Sequence, residues 1–509
     1  MDAGIQISGS ARHARLSDAA RTFKLVMPSS VGFALAHTCF STIVNDSSAY
    51  RSGSLLTDGA TLITLALLAC LMVLLLKKRS ALTENNIKAI NIACVALQCL
   101  AAAGLTSLET LRFVDDSVRL ACNVLLTASS LCVMFYWLRN AKGASSPVAA
   151  TIVLTALIIS ELLLCVFSLL PQPLSYLPVI AMALGQFGCM QAARKSPLPS
   201  TIQTARRATG YFNLAKTMMD SQHFLAISAV GIWLIAAAQA VIRMFPTGHP
   251  IPFTPVTLVL YLTLCIALSL TLMVRSFNEE RSTMTVGFWI VLQGLGAAAL
   301  VLCSVLPGSL DVGLAFAFAL NGLLFAFVGY VTIAFMSYGT YDPYYYAFGG
   351  MISLLLPRSL TTLALPALSD NIANPLALAS IAGAFLLISA QFVFAQLLRA
   401  RGKDGDSEDR PLSHAAGRAL GIEGHIDTSV AMRTAIMKGN TNCLKEQFLL
   451  SERETEVLTL YALGHTQDKI AEELYLSPGT VHTYIKRIYG KTNLHSRQDI
   501  LDYIERYIG

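Results

Sequence analysis

Charged side chains are scarce in this sequence: Asp, Glu, Lys and Arg make up 13% of its 509 residues, where a soluble globular domain carries about 25%. Hydrophobic residues account for 54%, and the mean hydropathy is +0.58. A deficit this large in a long chain excludes an ordinary soluble protein and points to the bilayer. Paired-cysteine motifs are missing as well. Ten of the eleven cysteines lie in apolar stretches and only Cys443 in a polar one, with no Cys-x-x-Cys or Cys/His ligand spacing. Neither a zinc site nor a redox pair is indicated, and the thiols read as small buried apolar groups. The opening residues, MDAGIQISGSARHARLSDAARTFK, lack the short apolar core and small-residue cleavage site of a removable signal peptide. No phosphate-cradling glycine loop, nucleophile–base arrangement, receiver-like acidic pocket or ATP-binding pattern is visible. The sequence therefore indicates no enzyme, no cofactor, no metal site and no phosphorelay input.

What is present is a series of long apolar runs. A helix needs roughly 20 mostly apolar residues to cross hydrocarbon. Such runs fall near 23–44, 57–76, 88–107, 117–138, 148–170 and 174–193, then near 223–245, 252–274, 284–306, 310–336, 344–366 and 375–398. The first is weakened by His37, Thr38 and Ser41, the eleventh by Gly349, Gly350 and Pro357. Alternate connections are basic: Lys77, Lys78, Arg79, Arg139, Lys142, Arg194, Lys195, Arg206, Arg207, Lys216, Arg275 and Arg281 fall on one side, against Arg51, Arg112, Arg119, Arg243 and Arg358 on the other. Positive charge marks the cytoplasmic side. Arg12, Arg15 and Arg21 before the first run and Arg399, Arg401 and Lys403 after the last belong to the same rich side, so both termini are expected to be cytoplasmic.

The longest connection, about 194–222, divides the runs six and six and is basic. Two six-helix halves joined by a long cytoplasmic loop resemble the layout of the major facilitator superfamily. The resemblance is architectural. The loop after the second run reads KKRSALTENNIK, which keeps the basic charge of that family's Gly-x-x-x-Asp-Arg/Lys-type loop without its pattern, a departure that argues against active transport.

Within the runs the clearest ionisable residue is Glu161, in TALIISELLLCVF. An intramembrane carboxylate is costly, which makes it a candidate ligand contact or proton-coupling group. A Glu satisfied by hydrogen bonds from a neighbouring helix would look the same in sequence. Asn123, Gln186, Gln239, Gln293, Asn321 and Gln391 read as interhelical hydrogen-bonding groups, and the tyrosine-rich SYGTYDPYYYAFGG as an interfacial aromatic belt.

After Lys403 the composition changes abruptly. From Asp404 onward there are 12 Lys/Arg against 16 Asp/Glu, so the tail is net negative while the preceding part is net positive. The stretch from DGDSEDRPL to about residue 445 reads as a linker. Four helices then follow from caps and periodicity. Ser451 and Glu454 form a capping box, Val457, Leu458, Tyr461 and Ala462 continue an apolar face, and Gly464 ends the helix. Thr466 caps a second helix with Ile470, Ala471 and Leu474 inward. Ser477 and Pro478 open a third, with Val481, Ile485 and Ile488 inward, and Ser496 caps a fourth carrying Ile500, Leu501, Ile504 and Ile508. The third helix turns His482, Thr483, Lys486, Arg487 and Gly490 outward, followed by Lys491, and no acidic residue occurs between Glu473 and Asp499. Two short helices around a tight turn, the second basic outside, are a helix-turn-helix.

These residues resemble the DNA-binding domain of LuxR-type transcriptional regulators over about 60 positions: Leu450, Arg453, Glu454, Glu456, Val457, Leu458, Gly464, Ile470, Ala471, Leu474, Ser477, Thr480, Val481, Ile485, Ile488, Lys491 and Arg497. The sequence departs from the family at His482, Tyr484 and Thr492. The resemblance implies a bacterial source, a four-helix domain with its third helix in the major groove, and dimerisation through the fourth. Lys486, Arg487, Lys491 and Arg497 would then neutralise phosphates. Thr480, His482 and Thr483 would reach base edges or phosphates near the helix start, and Thr466, Gln467 and Ser477 complete the candidate DNA-binding set.

The combined expectation is an all-α chain: a cytoplasmic segment 1–22, about twelve transmembrane helices in 23–398, a linker 399–445, and a cytoplasmic four-helix domain 446–509. It would be a one-component regulator in the inner membrane, binding double-stranded promoter DNA as a homodimer and sensing an unknown small-molecule effector through spans embedded in the lipid bilayer. A secondary transporter with a fused regulatory tail, and a plain membrane anchor for the regulator, are the alternatives.

Overall fold

The computed structural model describes residues 23–42, 56–78, 84–111, 115–170, 174, 176–195, 222–246, 248, 254–277, 284, 287–306, 308–338, 341–369 and 375–403, then 441, 444–445, 448, 450–463, 465–492, 494, 499–500 and 503. No strand occurs among the described residues, in keeping with the all-α expectation. The chain divides into two compact units, Met1–Leu397 and Leu398–Gly509. The segment 1–22 and all of 404–440 lie outside the described residues.

The first unit opens with α1 (23–42) and continues through α2 (Asp58–Lys78), α3 (Glu84–Leu111), α4 (Asp116–Asn140), α5 (Ser146–Phe167) and α6 (Leu177–Lys195). It goes on with α7 (Gln222–Met244), α8 (Pro255–Phe277), α9 (Phe288–Val305), α10 (Leu310–Tyr338), α11 (Pro343–Ser369) and α12 (Pro375–Lys403), whose last six residues lie past the division at Leu397. Starts follow local chemistry: the Asp115 carboxylate accepts from the Ser117 and Val118 amides at 2.9 and 3.3 Å, satisfying amides that the first turn leaves open.

Among the described residues, seven helices, α3, α4, α5, α8, α9, α10 and α11, are long and apolar enough to cross a membrane. Shorter apolar helical stretches lie at Asp58–Val73, Ala229–Met244 and Leu376–Gln391. The expected number of spans, twelve, is larger than these seven. The weak runs nevertheless fold as continuous helices, α1 across His37, Thr38 and Ser41, and α11 with Pro357 and Pro366 inside it.

α10 is the central helix. It is 78% buried over its apolar window, against 28% for α8, and packs on α4, α5, α7, α8, α9 and α11. The outer helices expose large apolar side chains instead, such as Leu67 and Leu71 on α2, Val256 and Val259 on α8, and Ile290 and Val301 on α9. An exposed apolar surface of that extent is unfavourable in water and suits hydrocarbon.

Polar contacts join α1–α6 to α7–α12 at several points. Ser146 Oγ and Tyr330 OH are 2.7 Å apart, and the Gly143 amide donates to Ser337 Oγ at 3.1 Å. Arg139 lies 3.8 Å from Asp342 and over the Tyr344 ring at 6.0 Å. Tyr344 and Tyr346 are buried while Tyr341 is exposed, so the tyrosine cluster is partly a packing element between helices rather than wholly an interfacial belt. Arg358, counted above with the connecting loops, sits inside α11 and is buried. It donates to Asn321 Oδ1 at 3.3 Å and acts on the charge of Asp58, which also accepts from Ser359. These partners allow an arginine at a depth where an isolated charge would be costly.

Glu161 is buried on α5. It is hydrogen-bonded to Tyr261 of α8 and faces Gly322 of α10, where an added Cβ would lie 3.6 Å from its Oε1. The preceding residue, Ser160, points to α1, with His37 Nδ1 at 2.7 Å and a hydrogen bond from Thr38 Oγ1 at 3.0 Å. The carboxyl is thus held by a neighbouring helix where α5, α8 and α10 meet.

Candidate nucleic-acid interface

In the second unit α13 (Glu452–Ala462), α14 (Gln467–Glu473) and α15 (Pro478–Thr492) pack pairwise. Their core consists of Leu444, Leu450, Val457, Leu458, Ala462, Ile470, Ala471, Val481, Ile485, Ile488 and Ile500, with Leu474, Tyr484, Tyr489 and Tyr503 packed around it. Residues 499, 500 and 503 are helical, and Tyr503 meets Phe448 edge to face at 5.5 Å. Gly464, Ser496, Arg497, Leu501, Ile504 and Ile508 lie outside the described residues.

Each start is built as its residue types require. The Ser451 amide donates to Glu454 Oε2 at 2.7 Å and the Glu454 amide to Ser451 Oγ at 3.3 Å, which closes the capping box. Thr466 Oγ1 accepts from the Lys469 amide at 3.4 Å, so this side chain caps α14 while remaining exposed; Gln467 beside it is half-buried. α14 ends at Glu473 and the chain turns through Leu474 and Tyr475, with the Leu476 amide returning to Ala471 O at 2.8 Å. Ser477 Oγ then accepts from the Thr480 amide at 3.1 Å and lies 2.8 Å from Thr480 Oγ1, opening α15 immediately after the turn.

On α15 the apolar and polar faces separate cleanly. Val481, Ile485, Ile488 and Thr492 are buried, while Thr480, His482, Thr483, Lys486, Arg487 and Gly490 are exposed along the opposite side. A Cβ at Gly490 would meet nothing within 4 Å, so the domain's own packing does not require glycine there. Thr483 Oγ1 donates back to Gly479 O at 2.9 Å, leaving its methyl and its oxygen lone pairs outward. The open stripe therefore presents hydroxyls and an imidazole at its start and a guanidinium and an ammonium one to two turns later. No acidic residue intervenes. That order suits a polyanion whose backbone lies across the helix and whose interior meets the helix start.

Lys491 differs from the other basic residues of the expected set. Its ammonium is 2.7 Å from Glu454 Oε2, whose side chain is only 5% exposed. It is turned back onto the domain, because a buried carboxylate one helix away is a stronger attraction than solvent. Burial works against the charged form of Glu454. The hydrogen bond from Lys491, those from the Ser451 amide and hydroxyl, and the lysine's charge outweigh it and hold the carboxyl below its ordinary pKa. Helical periodicity placed Lys491 on the outer side; nothing in the spacing shows that a long side chain folds back.

The profile GerE, described as "Bacterial regulatory proteins, luxR family", matches residues 449–504. "Uncharacterized transcriptional regulatory protein YvfU" of Bacillus subtilis (strain 168) is 45% identical over 58 residues, 11% of this chain and 29% of that protein. "Fimbriae Z protein" of Escherichia coli (strain K12) is 39% identical over 59 residues, 12% of this chain and 28% of its own length. The chain thus spans less than a third of the length of these curated relatives. Among solved structures, a crystal structure of a Major Facilitator Superfamily transporter, FucP, in the outward conformation is similar with a TM-score of 0.46 at 12% identity, over 74% of this chain and 98% of that one. Residues 449–504 form a LuxR-type helix-turn-helix domain.

Proposed function

We propose that this chain is a membrane-embedded, one-component bacterial transcriptional regulator that binds promoter DNA through α15 and senses a small molecule through its membrane unit. The observation that carries the reading is the stripe of Thr480, His482, Thr483, Lys486 and Arg487, exposed over a core of Val481, Ile485 and Ile488 in a LuxR-type domain. That domain shares one chain with helices of bilayer-spanning length, seven among the described residues. Lys486, Arg487 and Arg497 neutralise phosphates. Thr480, His482 and Thr483 meet base edges, and Thr466, Gln467 and Ser477 hold the backbone beside the groove. The membrane unit crosses the inner membrane twelve times as two six-helix halves, with both termini cytoplasmic, and the protein binds DNA as a dimer. An effector acts by preferring one arrangement of the halves over another, since a ligand shifts an equilibrium only by its differential affinity. Glu161, at the junction of α5, α8 and α10, is its proposed contact.

The test is enrichment of genomic fragments of the source organism by the purified full chain in lipid nanodiscs. Discrete enriched sites, lost on substituting His482 and Thr483 together, are expected; uniform recovery of all fragments contradicts the reading. Proteoliposome uptake that disappears with Glu161→Gln would instead favour a transporter.

A further inference from the structure

Tyr475 is the one non-glycine residue with positive φ among the described residues, at φ 54. The conformation is set by the way α14 ends. The Leu476 amide reaches back to Ala471 O and the Tyr475 amide to Glu472 O, which places residue 475 where helices commonly use a left-handed glycine. An L side chain is strained there, because its Cβ crowds the following carbonyl, and for a bulky residue the position is a clear outlier. Tyr475 gains nothing from packing in exchange: it is 95% exposed. The neighbouring tyrosines 461, 484, 489 and 503 all pack against the core. The domain therefore carries a strained backbone and an unburied aromatic ring at one position, and neither stabilises it.

Two features indicate what meets the ring. Tyr475 stands two residues before Ser477, the cap of α15, so its Cα lies within about 7 Å of the start of that helix. The surrounding segment from 474 to 498 has no acidic residue and exposes Lys486 and Arg487. A polyanion lying against α15 comes within reach of the phenol. We infer, building on the proposed DNA-binding role of α15, that Tyr475 is a further DNA-positioning residue. Its hydroxyl donates to a phosphate oxygen flanking the groove that α15 occupies, and its ring covers the adjoining sugar. Tyrosine contacts of this kind fix register and carry no base information. Strain at a position exposed to a partner is where such a cost is commonly retained.

Because the contact is independent of sequence, a fluorescein-labelled 30-base-pair duplex of mixed sequence serves as the probe, with the full chain in nanodiscs of zwitterionic lipid. Tyr475→Gly is expected to bind the duplex about five-fold or more weakly, while its α13–α15 amides exchange more slowly than in the wild type because the strain is relieved. Tyr475→Asn, which tolerates the left-handed conformation, should weaken binding similarly without depending on glycine's flexibility. Tyr475→Phe should keep the ring and lose the hydroxyl's part, falling between the wild type and those two variants. Wild-type affinity in the Gly and Asn variants overturns the inference. Loss of a dimer in cross-linking by those variants, with DNA affinity intact, assigns the ring to a second copy and overturns it equally. Absence of binding by the wild-type chain sinks the DNA-binding reading itself.

Discussion

Lys491 and Glu454 join the last turn of α15 to the first turn of α13 across 2.7 Å. Glu454 is also the carboxylate of the capping box, so one buried group closes the start of one helix and anchors the end of another. Removing the lysine leaves that carboxylate buried without its cation. Lys491 is itself part-exposed and Glu454 keeps its bond from the Ser451 amide, so Lys491→Met is expected to destabilise the domain by about 1–2 kcal/mol, and Glu454→Gln by less. The double variant should recover part of the loss, giving a coupling of about 0.5–1 kcal/mol. Hydrogen exchange of the slowest α13 and α15 amides in the full chain measures all three. Additive losses would show that the two side chains do not depend on each other.

Acid should act through the same pair. The Glu454 carboxyl is held below its ordinary pKa in the folded domain, so folding favours its charged form. The stability it contributes is complete above the unfolded value, near 4.3, and is lost as pH falls through the folded one. Protection of the α13 and α15 amides, corrected for intrinsic exchange, should be level near neutrality and decline below about pH 4.5. In Glu454→Gln the decline should be shallower. Identical acid profiles in the two proteins would remove Glu454 from the explanation.

In the membrane unit, Gly32 of α1 lies under the buried Trp137 of α4, and an added Cβ would fall 2.0 Å from the indole Cζ2. Neither element can yield easily, since overpacking an interior costs about 1–3 kcal/mol and small residues are what let membrane helices approach closely. Gly32→Ala should lower the thermal stability of the detergent-extracted protein and the yield of its monodisperse peak. Gly188→Ala, where a Cβ meets nothing within 4 Å, should change neither. Equal behaviour of the two variants would contradict the packing of α1 on α4.

Much of the framework is legible in the sequence because long apolar runs and caps are local. The runs near 117–138 and 310–336 fall within Asp116–Asn140 and Leu310–Tyr338, and the capping box at Ser451 and the cap at Ser477 follow from residue type alone. Side chains that choose a partner across the fold are not legible. Arg358 reads as a loop charge because the cost of burying it hides its partners on other helices, Asn321 and Asp58. The resemblance implies a phosphate contact for Lys491, and periodicity gives it a face but not a destination. Tyr475 looks ordinary until its backbone conformation is known. Glu161 was legible as costly, while its hydrogen bond to Tyr261 depends on how α5 meets α8.

The central claim is that this chain holds duplex DNA on the open stripe of α15, and its salt dependence tests that most directly. Affinity of the full chain in nanodiscs for a labelled duplex would be measured over a series of salt concentrations. Each phosphate contact removed lowers the slope of log K against log[salt] by about 0.9. Lys486→Ala/Arg487→Ala should therefore reduce the slope by about 1.8, whereas Lys491→Met, whose lysine is held by Glu454, should leave it nearly unchanged. A double variant that binds with the wild-type affinity and slope would contradict the claim.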